Sequence, residues 1–143
     1  EFFKEAANKN VAIIARVPLA SGLLTGKMNK QSLFPENDHR NYNINGEAFD
    51  VGETFSGVDY KKGLEAVERL KEFIPSDFTL TDLALKWILM HPEVSVVIPG
   101  AKNKLQIENN VKASDLNEID QVMSQINSIY DDRICLIGIK TNV

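Results

Sequence analysis

A chain of 143 residues with 43% apolar and 25% charged positions has the make-up of an ordinary globular domain, or of part of one, and excludes a disordered or fibrous polymer. Its formal charge of -4, from 16 basic and 20 acidic groups spread along the sequence, argues against non-specific binding to nucleic acid or to an anionic membrane. The lone Cys135 can form no internal disulfide, no leader pattern is present, and no apolar run reaches the roughly 20 residues that span a bilayer, so a reducing cytoplasm is the expected setting.

Glu1-Phe2-Phe3-Lys4-Glu5-Ala6-Ala7 reads as the body of a helix with no capping residue before it, the pattern of a chain that starts inside an element. After a turn at Asn8-Lys9-Asn10, the apolar, β-branched run from about 11 to 17 predicts a strand buried on both faces, as in a parallel sheet. Pro18 stops it. The stretch from there to about Gly57 is rich in Asn, Gly, Ser and Asp and predicts a long connection, which in a compact domain is usually functional or mobile. Val58, Leu64, Val67, Leu70, Phe73 and Ile74 then recur at helical spacing as far as Pro75.

Thr79 with Asp82 three positions on is a capping box, opening a helix that carries Leu83, Leu85, Trp87, Ile88 and Leu89 to about His91. The run 94–98, closed by Pro99-Gly100, predicts a second buried strand. A short helix opens near Asn103. Asp115 with Glu118 makes a further capping box ahead of Ile119, Val122, Met123, Ile126 and Ile129. The sequence thus divides into 1–133 and an apolar tail, 134–143, of open role. Strands separated by helical crossovers define an α/β chain with a parallel sheet, and two strands are too few to make that sheet stable. The missing strands must come from elsewhere, or from a second copy of the chain joining through exposed strand edges.

Two segments carry candidate chemistry. The first, Arg16 to Lys27, leaves the C-terminal end of the first strand, where parallel sheets place their ligands. Gly22 and Gly26 allow a tight turn that exposes N–H groups, and Lys27 adds a positive charge, a combination suited to a pyrophosphate; the plainer reading is a glycine-capped turn. A P-loop is excluded because Ser21 and Met28 stand where that motif needs Gly and Ser or Thr. The second segment, Ile98 to Asn110, joins the second strand to a helix N-terminus flanked by Lys102 and Lys104, which would suit a phosphate monoester. Gln106 and Asn110 share one helix face and could meet an adenine edge. The plainer reading is a solvated first turn with surface lysines.

Together, Pro18-Leu-Ala-Ser-Gly-Leu-Leu-Thr-Gly-Lys27, Leu83-Ala-Leu-Lys-Trp-Ile-Leu-Met-His-Pro92 and Val97-Ile-Pro-Gly-Ala-Lys102, with Gln106 and Asn110, resemble the aldo/keto reductases over about Phe2 to Tyr130. The resemblance implies the C-terminal part of a (β/α)8 TIM barrel, incomplete in this chain, with its seventh and eighth strands present. It also implies NADP as cofactor and a small-molecule carbonyl substrate reduced by hydride transfer. Backbone groups near Pro18, Leu19, Ala20, Gly22 and Leu23, with Lys27, would wrap the pyrophosphate. Gly100, Ala101 and Lys102 would hold the 2′-phosphate, and Gln106, Asn109 and Asn110 would face the adenosine. The family commonly has a Glu-Asn pair where this chain has Asn109-Asn110.

The family's catalytic tyrosine, lysine, aspartate and histidine lie on earlier strands, and none of those motifs occurs here, so no catalytic residue is assigned. Tyr42, Tyr60, Tyr130, His39 and His91 have bland readings as loop or helix-end residues, Trp87 reads as packing, and no carboxylate pair suggests a metal. The sequence therefore points to a catalytically incomplete part of an oxidoreductase. The alternative is a non-catalytic nucleotide-binding or regulatory module derived from the same barrel.

Overall fold

A computed structural model describes residues 2–116 and 119–133. In chain order it contains α1 (Phe2–Asn8), β1 (Ile13–Arg16), α2 (His39–Tyr42), α3 (Tyr60–Phe73), α4 (Leu80–Leu89), β2 (Val94–Ile98), α5 (Lys104–Lys112) and α6 (Asp120–Arg133), with short 3-10 turns between them. The two strands pair in parallel, with Ile13 opposite Val94 and Arg16 opposite Ile98. The connection between them carries α3 and α4, the helical crossover a parallel pair requires.

Local rules place most boundaries. Asp59 caps α3 through its carboxylate, which accepts the Lys62 N–H, so the helix starts at Tyr60 and leaves Val58 extended. At α4 the Thr79 hydroxyl and the Asp82 carboxylate satisfy each other's backbone N–H, the reciprocal box that the sequence predicts. Asn103 caps α5 by accepting the Gln106 N–H at 2.9 Å. Asp115 departs from expectation: it lies in a 3-10 turn, Ala113–Asp115, and α6 opens only at Asp120. Its expected capping partner Glu118 and the tail 134–143 lie outside the described residues.

Burial on both strand faces is also corrected. Ile13 is buried, but Ile14 is 60% exposed, Val96 43% and Ile98 54%. A parallel strand is enclosed only where other strands and helices flank it, and among the described residues each strand has a single strand neighbour.

The long connection from 18 to 57 is more built than its composition suggests. It holds α2 and 3-10 turns at Ala20–Thr25, Val51–Glu53 and Phe55–Gly57. Asn43, fully buried, ties it together: its amide donates to Thr54 Oγ1 at 3.1 Å, while its carbonyl oxygen accepts the N–H groups of Ala48 and Phe49 at 2.9 and 2.8 Å. A buried side-chain amide is tolerable only when satisfied in this way.

The core joins this connection to the helices. Ala20, Leu23 and Phe55 pack with Leu64 and Val67 of α3, Leu80 and Leu83 of α4, and Ile119 and Val122. Each such leucine or phenylalanine contributes about 1.5–3 kcal/mol by leaving water. Leu23 sits in a notch on α3, where a Cβ on Gly63 would come within 2.6 Å of its Cδ2. The strand-exit loop is thereby seated directly on a helix.

Candidate functional site

Pairing of Arg16 with Ile98 puts the ends of both strands side by side, so the segments that begin at Pro18 and Pro99 leave from one rim of the sheet. That is the end at which parallel α/β folds bind ligands.

The first segment is held in unusual backbone conformations. Val17, Ala20, Ser21, Gly22 and Gly26 have φ of 54°, 46°, 56°, 94° and 69°. Left-handed φ at a β-branched valine is a true outlier, and such strain persists only where the surroundings over-determine it. Gly26 closes the 3-10 turn with its N–H on the Leu23 carbonyl, and the Thr25 hydroxyl donates to the Gly22 carbonyl at 2.7 Å. The N–H groups of Ala20 and Gly22 donate to the carbonyls of Val17 and Leu19 at 3.1 and 2.9 Å. An anion at this loop would therefore be a second acceptor for them. Pro18, Ala20 and Leu23 are buried, Leu19 and Gly22 half-buried, and Lys27 is exposed.

The second segment is open. Gly100, Ala101, Lys102 and Asn109 are exposed, and a Cβ added at Gly100 would meet nothing within 4 Å. Gln106 turns back on the loop, its Oε1 accepting the Lys102 N–H at 2.6 Å, and the Asn110 amide reaches the Gly100 carbonyl at 3.5 Å. Both amides thus brace the turn that holds Lys102. Lys104 is paired with Glu108 on its own helix at 3.4 Å. The loop charge that remains beside the helix start is Lys102.

The structure also brings together Ser21, His39, Arg40 and Glu53, to which the sequence assigned no joint role. Ser21 Oγ lies 3.2 Å from His39 Nε2, accepts the Phe55 N–H at 3.3 Å and donates to the Glu53 carbonyl at 3.2 Å. Arg40 donates to the Ser21 carbonyl at 3.4 Å, lies over the Phe34 ring and forks onto Asp38 with bonds of 2.9 and 2.6 Å. That fork holds the Asp38 carboxyl far below the usual carboxylate range, against the opposing effect of burial, and raises Arg40 in turn. Glu53 meanwhile grips Arg16, at the end of β1, through two bonds of 2.8 and 2.9 Å. The signal available in sequence was the Asp38-His39-Arg40 triplet, which has no meaning until Ser21 is brought to it from 18 residues away.

Tyr42, Tyr60, His91 and Trp87 make packing and hydrogen-bond contacts, and the Tyr130 side chain lies outside those described. Tyr60 donates its hydroxyl to the Asn29 carbonyl at 2.9 Å, and Tyr42 stacks edge-on against Phe49. His91 lies between Trp87 and Phe3, with ring centroids 4.8 and 5.8 Å away. Trp87 packs against the core, its indole N–H buried without a partner among the described residues. Among those residues no three His, Cys, Asp or Glu side chains cluster to hold a metal, and no helix is long and apolar enough to cross a membrane.

The family model described as "Aldo/keto reductase family" matches residues 1–131. Over 138 residues the chain is 33% identical to a probable voltage-gated potassium channel subunit beta of Arabidopsis thaliana, covering 86% of this chain and 38% of that protein. It is 25% identical to the aldo-keto reductase yakc [NADP(+)] of Schizosaccharomyces pombe, over 90% of this chain and 36% of the relative. Among solved structures it is similar to the glycerol dehydrogenase AKR11B4 of Gluconobacter oxydans, with a TM-score of 0.73 at 24% identity, covering 92% of this chain and 38% of that one. The chain thus spans a little over a third of the length of these relatives, and its fold is part of a (β/α)8 barrel.

Proposed function

The chain belongs to the aldo/keto reductase family, and from that premise we propose that the protein it represents is an NADP(H)-dependent oxidoreductase that reduces aldehydes or ketones to alcohols. These residues supply the cofactor-holding side of the site. The observation that carries the reading is the parallel register at the rim, which sets the strained loop at 18–27 beside the cationic turn at 100–102.

In this reading the backbone of Pro18, Leu19, Ala20, Gly22 and Leu23 lines the pyrophosphate, with Lys27 as its outer charge. Gly100, Ala101 and Lys102 take the 2′-phosphate, with the braced turn presenting the Lys102 ammonium. Gln106, Asn109 and Asn110 face the adenosine. When bound, the nicotinamide supplies the hydride; the acid that protonates the carbonyl oxygen comes from outside these residues, the Tyr60 hydroxyl being committed to the Asn29 carbonyl and Tyr42 packed edge-on against Phe49. A protein limited to these residues would be inactive, and its exposed Ile14, Val96 and Ile98 would favour self-association, read as a concentration-dependent sedimentation coefficient. A reducing cytoplasm suits this chemistry.

The test is a fluorescence titration with NADPH and NADH. NADPH should bind more tightly, and Lys102→Glu should abolish most of that preference, a loss of about tenfold or more for a charge-assisted contact. Equal binding of the two dinucleotides, or a preference that Lys102→Glu leaves intact, overturns the assignment. A second reading, a non-catalytic nucleotide-binding subunit, is favoured by one observation: two relatives carry the name potassium channel subunit beta. Cofactor binding without turnover of any carbonyl by the whole protein would select it.

A further inference from the structure

Val17 stands in a conformation that its own chemistry resists. A β-branched residue ahead of a proline favours extended backbone twice over: its side chain crowds a left-handed main chain, and the Pro18 ring crowds compact conformations of the residue before it. Its φ is nevertheless 54°, and β1 ends one residue earlier, at Arg16. Inside the loop the Ala20 N–H closes one turn on the Val17 carbonyl at 3.1 Å. Further restraint comes from a residue 32 to 37 positions away.

Glu53 bonds both flanks of the strained stretch. Its carboxylate takes the Arg16 guanidinium in a fork of 2.8 and 2.9 Å, just before Val17. Its carbonyl, which can only accept, receives the Ser21 hydroxyl at 3.2 Å, just after Ala20. The Phe55 N–H, which can only donate, meets the same hydroxyl oxygen at 3.3 Å. Residues 16 and 21 are therefore pinned to one short segment, and that segment is itself fixed. The Glu53 N–H closes on the Asp50 carbonyl at 3.0 Å, Thr54 is buried and held by the Asn43 amide at 3.1 Å, and Phe55 lies in the core. Ser21 has a further partner in Arg40, whereas among the described residues the Arg16 flank depends on Glu53. With that grip released, Val17 would be free to return to extended backbone and lengthen β1 at the expense of the loop.

Resting on the cofactor reading above, we propose that Glu53 is a positioning residue: through Arg16 and Ser21 it holds Val17 in the left-handed form that shapes the 18–27 loop for a dinucleotide. It acts on the ligand through the loop and not by touching it.

Two measurements on the whole protein test this. In the first, amide hydrogen exchange is followed without cofactor at Ala20 and Gly22, whose N–H groups bond inside the loop, relative to the Leu83 amide of α4. Glu53→Gln and Arg16→Gln should each speed it by about two- to fivefold, the range of a forked pair whose side chains are 65% and 36% exposed. The double variant should exchange no faster than either single one, because the partners act as a unit. Added salt should speed exchange in the wild type and leave Glu53→Gln unchanged, a response that a space-filling role would not give. Unchanged exchange in the single variants, additive effects in the double one, or equal acceleration at Leu83 overturns the proposal.

In the second, NADPH dissociation rates are compared by stopped flow. Both single variants should release NADPH faster, by a similar factor. Glu53→Gln frees the Arg16 guanidinium, which by its charge alone would slow release of an anion, so faster release there reports the loop. Unchanged or slower release overturns the positioning role. Absence of NADPH binding in the wild type counts against the cofactor reading only, and the exchange rates then decide. If a variant fails to fold, the salt series on the wild type decides alone, and exchange at Ala20 and Gly22 that ignores salt overturns the proposal.

Discussion

The two segments at the rim are built on opposite plans. The first, at 18–27, is shaped by conformation: strained φ angles, a glycine-closed turn, and a distal stretch of chain bonded over it through Ser21, Arg40 and Glu53. The second, at 99–103, is shaped by charge: an exposed turn, braced by two amides from α5, that presents one lysine to solvent. A rigid cradle suits a ligand portion whose geometry never varies. A point charge on a short turn suits a group that must be told apart from its absence.

This contrast can be broken by substitution. Gly26→Ala should do the most damage, since it forces a Cβ at φ 69° to within 2.6 Å of Leu80 Cδ1 and 3.2 Å of Lys71 Cε. Left-handed strain of about 1–2 kcal/mol and overpacking of about 1–3 kcal/mol should together lower unfolding stability by about 3 kcal/mol, measured by urea denaturation. Asn43→Ala comes next. It leaves the Ala48 and Phe49 N–H groups without their acceptor, and a loss of about 2 kcal/mol by the same measurement would show that the 38–57 segment is a folded part of the core.

A smaller, pH-dependent effect belongs to Asp38. Because Arg40 depresses its pKa in the folded state, the pair contributes stability above the ordinary carboxylate range of about 4, and that stability is lost as pH falls toward the depressed value. Asp38→Asn should flatten the acid limb of a thermal stability profile; an acid limb as steep as that of the wild type would count against the pair. Least affected should be folding in Gly100→Ala, within about 0.5 kcal/mol of wild type, because the added methyl meets open space. If that variant also binds NADPH normally, the backbone at Gly100 does not approach the phosphate, and Lys102 alone carries the contact.

Legibility in the sequence followed the range of the interactions. The box at Thr79 and Asp82 and the cap at Asn103 act within three residues, and both could be read directly. The β-branched run from Val11 to Val17 announced a strand, which in the fold covers only Ile13–Arg16, Val17 having turned to a φ of 54°, and burial of Ile14 depends on neighbours that a run of residues does not contain. The 18–57 connection was the least legible. Asn43 and Phe55 are buried there without any periodicity, one held by local amide bonds and the other by the helices it meets. Among the proposed site residues, Lys102 and the loop glycines stand out by motif. Ser21, His39, Arg40 and Glu53 come together as a hydrogen-bonded cluster only through contacts spanning 18 to 37 positions, for which spacing offers no signal.

If the 18–27 loop holds the dinucleotide as proposed, the notch at Gly63 would give α3 a part in binding it. Leu23 rests where a side chain on the helix would otherwise stand, so the height of the loop above the sheet is set by a single absent methyl group. A residue of increasing bulk at position 63 would act as a graded shim beneath Leu23, lifting the loop step by step, and on the proposed cofactor reading would shorten or lengthen the residence time of a bound dinucleotide.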